Sequence, residues 1–210
     1  MRPEEIEKES FRIIGEEAGN HGFNDREWQV VRRIIHTSAD FEYLKSIRLH
    51  GDAISLGIAA IRAGKSIVTD TEMVRSGIRK RDLEPFGCRL FCLISDPEVT
   101  ARAVKTAGTR AEAAVDMSLE QMDGGIYVVG NAPTALFRVL YHVKTGAAKP
   151  ALIIGLPVGF VNAEESKEAL IESGFPHISN QGRKGGSNVA ASVVNALILM
   201  AGETSSIKGV

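Results

Sequence analysis

Cysteine is scarce in this chain: Cys88 and Cys92 are the two present among 210 residues. Their C-x-x-x-C spacing is not the C-x-x-C of redox and zinc sites, and there is no second pair to build a disulfide framework. The expectation is a pair of reduced core thiols in a cytosolic protein. Aromatic residues make up 6% of the chain, with one tryptophan, which argues against a base-stacking surface for nucleic acid. Charge of one sign is missing too. The 25 Lys and Arg are offset by 26 Asp and Glu, so the formal net charge is −1 and no basic field draws in a polyanion. No apolar run approaches the length of a bilayer span, and Met1-Arg2-Pro3-Glu4-Glu5 is charged where a leader would need apolar residues. The nucleotide-binding patterns G-x-x-x-x-G-K-[ST] and G-x-G-x-x-G are absent from the glycine-rich turn at 182–187. The hydrolase elbow G-x-S-x-G and the zinc-protease H-E-x-x-H are also missing.

What is present is an ordinary globular composition, 44% hydrophobic and 24% charged. Two helices are expected first, over Glu4–Ala18, with Ile6, Ser10, Ile13 and Ile14 along one stripe, and over Asp25–Ile35, capped by Asn24 or Asp25. A small-residue helix follows over Ala53–Ala63. From residue 65 apolar runs alternate with helical stretches. Strands are expected at Ser66–Thr69, Arg89–Ile94, Ile126–Val129, Ala151–Ile154 and His177–Ser179, with helices near 97–107, 110–122, 133–145, 163–173 and 188–201. This pattern predicts an α/β fold: a mostly parallel five-stranded sheet with helices on both faces and the N-terminal helices added to it. No linker or repeat divides residues 1–210, so one domain is expected. The last helix is apolar nearly all round, as suits burial in a core or a subunit interface.

Three late segments share one design, an apolar run followed by a Gly- or Pro-rich turn and a helix start. The turns are Asn131-Ala132-Pro133-Thr134, Gly155-Leu156-Pro157-Val158-Gly159 and Gln181–Ser187. In a parallel sheet all three fall at the carboxyl edge of the strands, where open α/β sheets bind ligands.

Several residues near that edge could carry chemistry. His36 falls at or just past the end of the second helix, where the macrodipole favours a cation, and it would suit a general acid near neutral pH. Spacing alone favours the plainer reading, a helix-terminating histidine that caps carbonyls. The other histidines, His21, His50, His142 and His177, lack supporting context. Gly182–Ser187 permits close backbone approach, places Arg183 and Lys184 above a helix start, and lets Ser187 cap that helix; together these suit a carboxylate or phosphate. Asn131 or Ala132 would cap the helix that Pro133 opens. Arg110 sits in a helix first turn, where a cation opposes the dipole, so it is either kept for a carboxylate partner or paired with Glu112 or Glu120. Lys167 is expected to be a solvated helix lysine. Asp70-x-Glu72 could bind a metal, with helix capping by Asp70 favoured.

Taken in order, Ile34-Ile35-His36-Thr37-Ser38-Ala39-Asp40, Asp70-Thr71-Glu72-Met73-Val74 with Gly77-Ile78, Gly130–Leu136, Gly155–Val161 with Glu165-Ser166-Lys167, and Gly182–Ser187 resemble the precorrin-8X methylmutases, which include the cobalt-precorrin-8 methylmutases. The resemblance covers nearly the whole chain. Each segment alone is weak, but the series is specific. Ala39 stands where many members are expected to have glycine.

The resemblance implies an isomerase of cobalamin (vitamin B12) biosynthesis. Such an enzyme moves a methyl group from C11 to C12 of the corrin ring, giving hydrogenobyrinate or cobyrinate. It implies a flavodoxin-like sheet, a cytoplasmic homodimer with sites near the subunit interface, and His36 as proton donor and acceptor. Ser10 and Arg110 match positions associated with substrate contact, and Asn131, Thr134, Arg183, Lys184 and Ser187 are further candidates for holding the substrate. No cofactor is implied, and cobalt would enter only as part of the substrate. A non-catalytic corrinoid carrier would present a D-x-H-x-x-G motif, which this chain lacks.

Overall fold

A computed structural model describes residues 2–203. In chain order the elements are α1 (Pro3–Ala18), α2 (Asp25–Ser38), α3 (Tyr43–Ser46), β1 (Ile47–Leu49), α4 (Ala53–Arg62), β2 (Ile67–Thr69), α5 (Glu72–Gly77), α6 (Lys80–Leu83), a 3-10 turn (Glu84–Phe86), β3 (Leu90–Phe91), α7 (Pro97–Thr106), α8 (Arg110–Met117), β4 (Ile126–Val129), α9 (Pro133–Lys144), β5 (Leu152–Gly155), α10 (Ala163–Glu172), β6 (His177–Asn180) and α11 (Ser187–Gly202). The sheet has six strands in the order β1-β6-β5-β4-β2-β3. β2 to β6 pair in parallel, while β1 runs antiparallel on the edge of β6.

The expected count of five strands is corrected to six. β1 has three residues and follows a one-turn helix, too short a run for any period to declare itself. The second expected strand shrinks from Arg89–Ile94 to Leu90–Phe91, because an edge strand pairs on one side only. Numbered among themselves, the parallel strands follow the order 2-1-3-4-5, a common doubly wound arrangement. Their winding reverses direction between β2 and β4.

Alternate strand residues face opposite layers, as the two-residue period of a strand requires. Ile67, Ile126, Val128, Leu152, Ile154 and Ile178 pack with α2, α4, α5 and α11. Val68, Tyr127, Val129 and Ile153 pack with α8, α9 and α10. α11 lies inside the first layer, where Val189, Val193, Val194, Leu197, Ile198 and Met200 are all buried. Each such side chain contributes roughly 1.5–3 kcal/mol of transfer free energy. The stripe expected on α1 is only partly buried: Ile14 enters the core, but Ile6 is 51% and Ile13 41% exposed. A helix resting chiefly on one neighbour, here α2, covers only a narrow strip.

Candidate functional site

Four loops meet at the carboxyl edge of the parallel strands. Where the winding reverses, Asp70 after β2 reaches the loop after β4. Its Oδ1 accepts Gly130 N–H at 3.0 Å, and its Oδ2 accepts Asn131 and Ala132 N–H, both at 2.8 Å. Burial pushes the Asp70 carboxyl upward, and the three N–H donors only partly hold it down. Asp70 therefore ties these backbone N–H groups and is not the cap of α5. That cap is Thr71, whose Oγ1 accepts Val74 N–H at 3.3 Å, and Glu72 pairs with Arg75 at 2.8 Å. Among the described residues no group of three or more His, Cys, Asp or Glu gathers to hold a metal.

The turn at 182–187, after β6, packs directly on the loop after β5. Gly186 N–H donates to Leu156 O at 2.8 Å and Gly159 N–H to Arg183 O at 3.1 Å. A Cβ on Gly185 would stand 2.4 Å from Leu156 O, so only glycine fits there. A Cβ on Gly130 would meet the Ser187 Cα at 2.8 Å, which brings β4 against the start of α11. Ser187 does not cap α11. The N-cap is Gly186, and the Ser187 hydroxyl lies 3.2 Å from Thr71 Oγ1. Likewise Ala132, not Asn131, is the N-cap of α9.

α2 delivers His36 toward the same edge. Asn24 and Glu27 form its capping box, with Asn24 Oδ1 accepting Glu27 N–H and Glu27 Oε2 accepting Asn24 N–H, each at 3.0 Å. Val30, Val31, Ile34 and Ile35 bury its inner face. The helix continues past Ile35 to Ser38, so His36 lies inside the last turn rather than beyond it, and it is exposed. Its ring meets the Phe11 ring of α1 edge-on at 5.1 Å, beside Ser10 in sequence. Arg32 and Arg33 stand over the same phenyl ring at 4.2 and 5.2 Å. Arg33 also reaches Glu7 at 3.2 Å, while Arg32 Nε is buried without a partner among the described residues. Sequence reasoning missed these two arginines. Their spacing three and four residues before His36 was the available signal.

The turn at 182–187 is fastened to the segment after His36. Lys184 Nζ pairs with Asp40 at 2.5 Å and Glu42 at 2.7 Å. These partners raise Lys184 above the ordinary lysine range. Burial pushes Asp40 upward, but the Lys184 ammonium and Glu42 N–H outweigh it and hold the carboxyl below its usual value. Lys184 is thus engaged internally, whereas the Arg183 guanidinium lies 5.5 Å over the ring of Phe160, which is 84% exposed. A cavity of about 360 Å³ opens beside this turn, lined by Gln181, Gly182, Arg183, Lys184 and two glutamates. A roomier one of about 1020 Å³ lies away from the strand tips, between Arg32, Arg33 and the carboxyl end of α11. There Arg62 donates to Ala201 O at 3.0 Å and Glu203 O at 2.9 Å.

Arg110 opens α8 behind Thr109, and Thr109 Oγ1 lies 3.2 Å from Thr134 Oγ1, so these expected residues share a corner. Glu112 does not pair with Arg110; it accepts Thr109 N–H at 2.8 Å in a capping box. Arg110 is exposed and makes no ion pair among the described residues. It stands with α8, which packs on the sheet face opposite α2.

Lys167 overturns its expectation. It is fully buried, with Nζ donating to Lys184 O and Asn180 Oδ1. The remaining histidines have structural partners: His21 stacks on Trp28, His50 Nδ1 accepts Asp52 N–H, His142 joins Asp116 at 2.6 Å, and His177 joins Phe175 O at 2.7 Å. Both cysteines are free and half-buried, with Cys88 donating to Ile61 O.

Residues 5–200 match the family model described as Precorrin-8X methylmutase. The chain is 46% identical to the cobalt-precorrin-8 methylmutase of Priestia megaterium, covering 96% of this chain and 89% of that one. It is 39% identical to the precorrin-8X methylmutase of a Sinorhizobium species, covering 91% and 92%. Among solved structures, the precorrin-8X methylmutase of Thermus thermophilus superposes with a TM-score of 0.88 at 48% identity, covering 94% and 96%. Likeness of this extent, in sequence and in fold, leads to one placement: the chain belongs to the precorrin-8X methylmutase family.

Proposed function

We propose that this protein is a methylmutase of cobalamin biosynthesis, moving a methyl group from C11 to C12 of precorrin-8X or its cobalt form. The observation that carries the reading is the setting of His36. It is a solvent-facing imidazole one turn from two arginines, on a helix whose end is bound to the strand-tip turn through Asp40 and Lys184. The migration resembles a [1,5]-sigmatropic shift across a conjugated macrocycle. The C11–CH3 bond breaks as the C12–CH3 bond forms, with no net oxidation. Protonation of a ring nitrogen draws electron density from the migrating framework and lowers the barrier. His36 supplies that proton and recovers it afterwards, a role worth on the order of 10²–10⁴ in rate. The rest of the catalysis is orientation of a flat polyacid. Ser10 and the guanidinium groups of Arg32, Arg33, Arg110 and Arg183 meet its acetate and propionate arms, and Asn131, Thr134 and Ser187 add polar groups at the strand tips. Lys184 acts through its Asp40 pair. No resident cofactor belongs to this reading, and cobalt, where present, is substrate.

The site is completed by a second copy of the chain. Two observations support this: His36 and Arg110 stand on opposite faces of one sheet, and Ile6 and Ile13 of α1 are left exposed. The parallel strand order fits a flavodoxin-like arrangement, and the half-buried free thiols fit a reducing cytoplasm. Incubation with the metal-free and cobalt-loaded precursors, followed by the ring chromophore, tests the activity. His36→Ala should retain the corrinoid but lose at least about 100-fold in turnover. Wild-type turnover in that variant would remove His36 from the chemistry.

A further inference from the structure

Lys167 lies on α10, away from His36, Arg32 and Arg33, yet it bonds to the turn that carries Arg183 and Lys184. Nζ donates to the Lys184 carbonyl at 2.6 Å and to Asn180 Oδ1 at 3.2 Å. Asn180 Nδ2 donates to that same carbonyl at 2.9 Å and to Gln181 O at 3.0 Å. Lys184 is therefore held at both ends, its carbonyl by Lys167 and Asn180 and its ammonium by Asp40 and Glu42.

An ammonium inside the protein is expensive. Burial lowers Lys167 to about 8, with Glu164 opposing weakly. An apolar side chain of similar length would avoid this cost, and such replacements of buried charge are often neutral or stabilising. Packing alone therefore does not account for a lysine here. The turn it grips does. Gly182 at φ 77° and Gly186 at φ 129° give the segment a freedom that other residues lack. Two donors on one carbonyl remove that freedom, and Arg183 and Lys184 then leave the turn in fixed directions.

We propose that Lys167 is a positioning residue: its buried ammonium fixes the Gly182–Gly186 turn, so that Arg183 and the Asp40 segment behind His36 stand in register for the substrate. The activity consequence rests on the methylmutase reading; the structural consequence does not.

The test compares the wild-type protein with Lys167→Met in three measurements: thermal melting, hydrogen exchange of the Gly182–Gly186 amides, and steady-state conversion of the precursor. The variant should melt at or above the wild-type temperature. Its turn amides should exchange about tenfold faster, the effect of losing one charged hydrogen bond. KM should rise about tenfold with a smaller change in kcat. Wild-type exchange together with wild-type KM in the variant would overturn the assignment. Faster exchange in the variant, with no conversion even by the wild-type protein, would leave the positioning role standing and defeat the methylmutase reading. If Lys167→Met does not fold, Asn180→Ala must give the same faster exchange and raised KM. Failure of both to fold would make Lys167 a folding residue and end the proposal.

Discussion

Ala39 ends α2 with φ 53° and ψ 32°, a left-handed conformation that a Cβ resists, while its N–H donates to Ile35 O at 2.7 Å. The cost is roughly 1–2 kcal/mol, and glycine would avoid it at a smaller entropic penalty. This is the position where the family pattern leads one to expect glycine, and the backbone supplies the reason. Ala39→Gly should raise stability by about 0.5–1 kcal/mol, read as a higher urea midpoint at unchanged slope. A lower midpoint would show that the stiffness of alanine next to His36 outweighs its strain.

Among elements, Asp70 is the joint between β2 and α9. It satisfies three backbone N–H groups at the point where the winding of the sheet reverses. Asp70→Asn keeps the shape but turns an amide N–H2 toward donors. It should destabilise the fold by about 2–3 kcal/mol, measured by urea unfolding. A loss within error of zero would mean that the loop finds other acceptors. α7, α8 and α9 are joined in a similar way through Asp116, which accepts Arg138 at 2.6 Å, His142 at 2.6 Å and Arg102 at 3.3 Å. Burial raises that carboxyl, and the three partners outweigh it and bring it below the usual value. Its contribution is therefore present above the ordinary carboxylate range and lost as pH falls through its folded value.

For the molecule as a whole, Lys167 imposes a pH dependence of opposite sign. Its folded value of about 8 lies below the ordinary 10.5, so the unfolded chain binds more protons between those values. Stability from this group rises with pH across that window. Unfolding at pH 8 and pH 10 should show this gain in the wild-type protein but not in Lys167→Met. Equal slopes in both would mean that the amine is not depressed by burial. The proposed sharing of the site between two subunits has its own test. His36→Ala and Arg110→Ala should each be nearly inactive, and refolding the two together should restore part of the activity through mixed dimers. Refolded mixtures no better than the single variants would place both residues in one subunit's site.

The alternation of apolar runs and helical stretches after residue 65 determined the α/β layering, and the three Gly- and Pro-rich turns marked the carboxyl edge of the strands, because strand and helix periods and turn chemistry are local properties of the chain. Partners were decided by the tertiary structure. Lys184 and Asp40 lie 144 residues apart, and no local pattern announces their pairing. The same holds for Lys167, which sits on a helix with charged neighbours and is buried only because α10 leans on the turn after β6. β1 exists because β6 offers it an edge. Arg32 and Arg33 joined the candidate site because Phe11 of another helix lies beneath them. A side chain's residue type is written in the sequence, but its charge state and its donors and acceptors depend on which distant segments the fold packs against it.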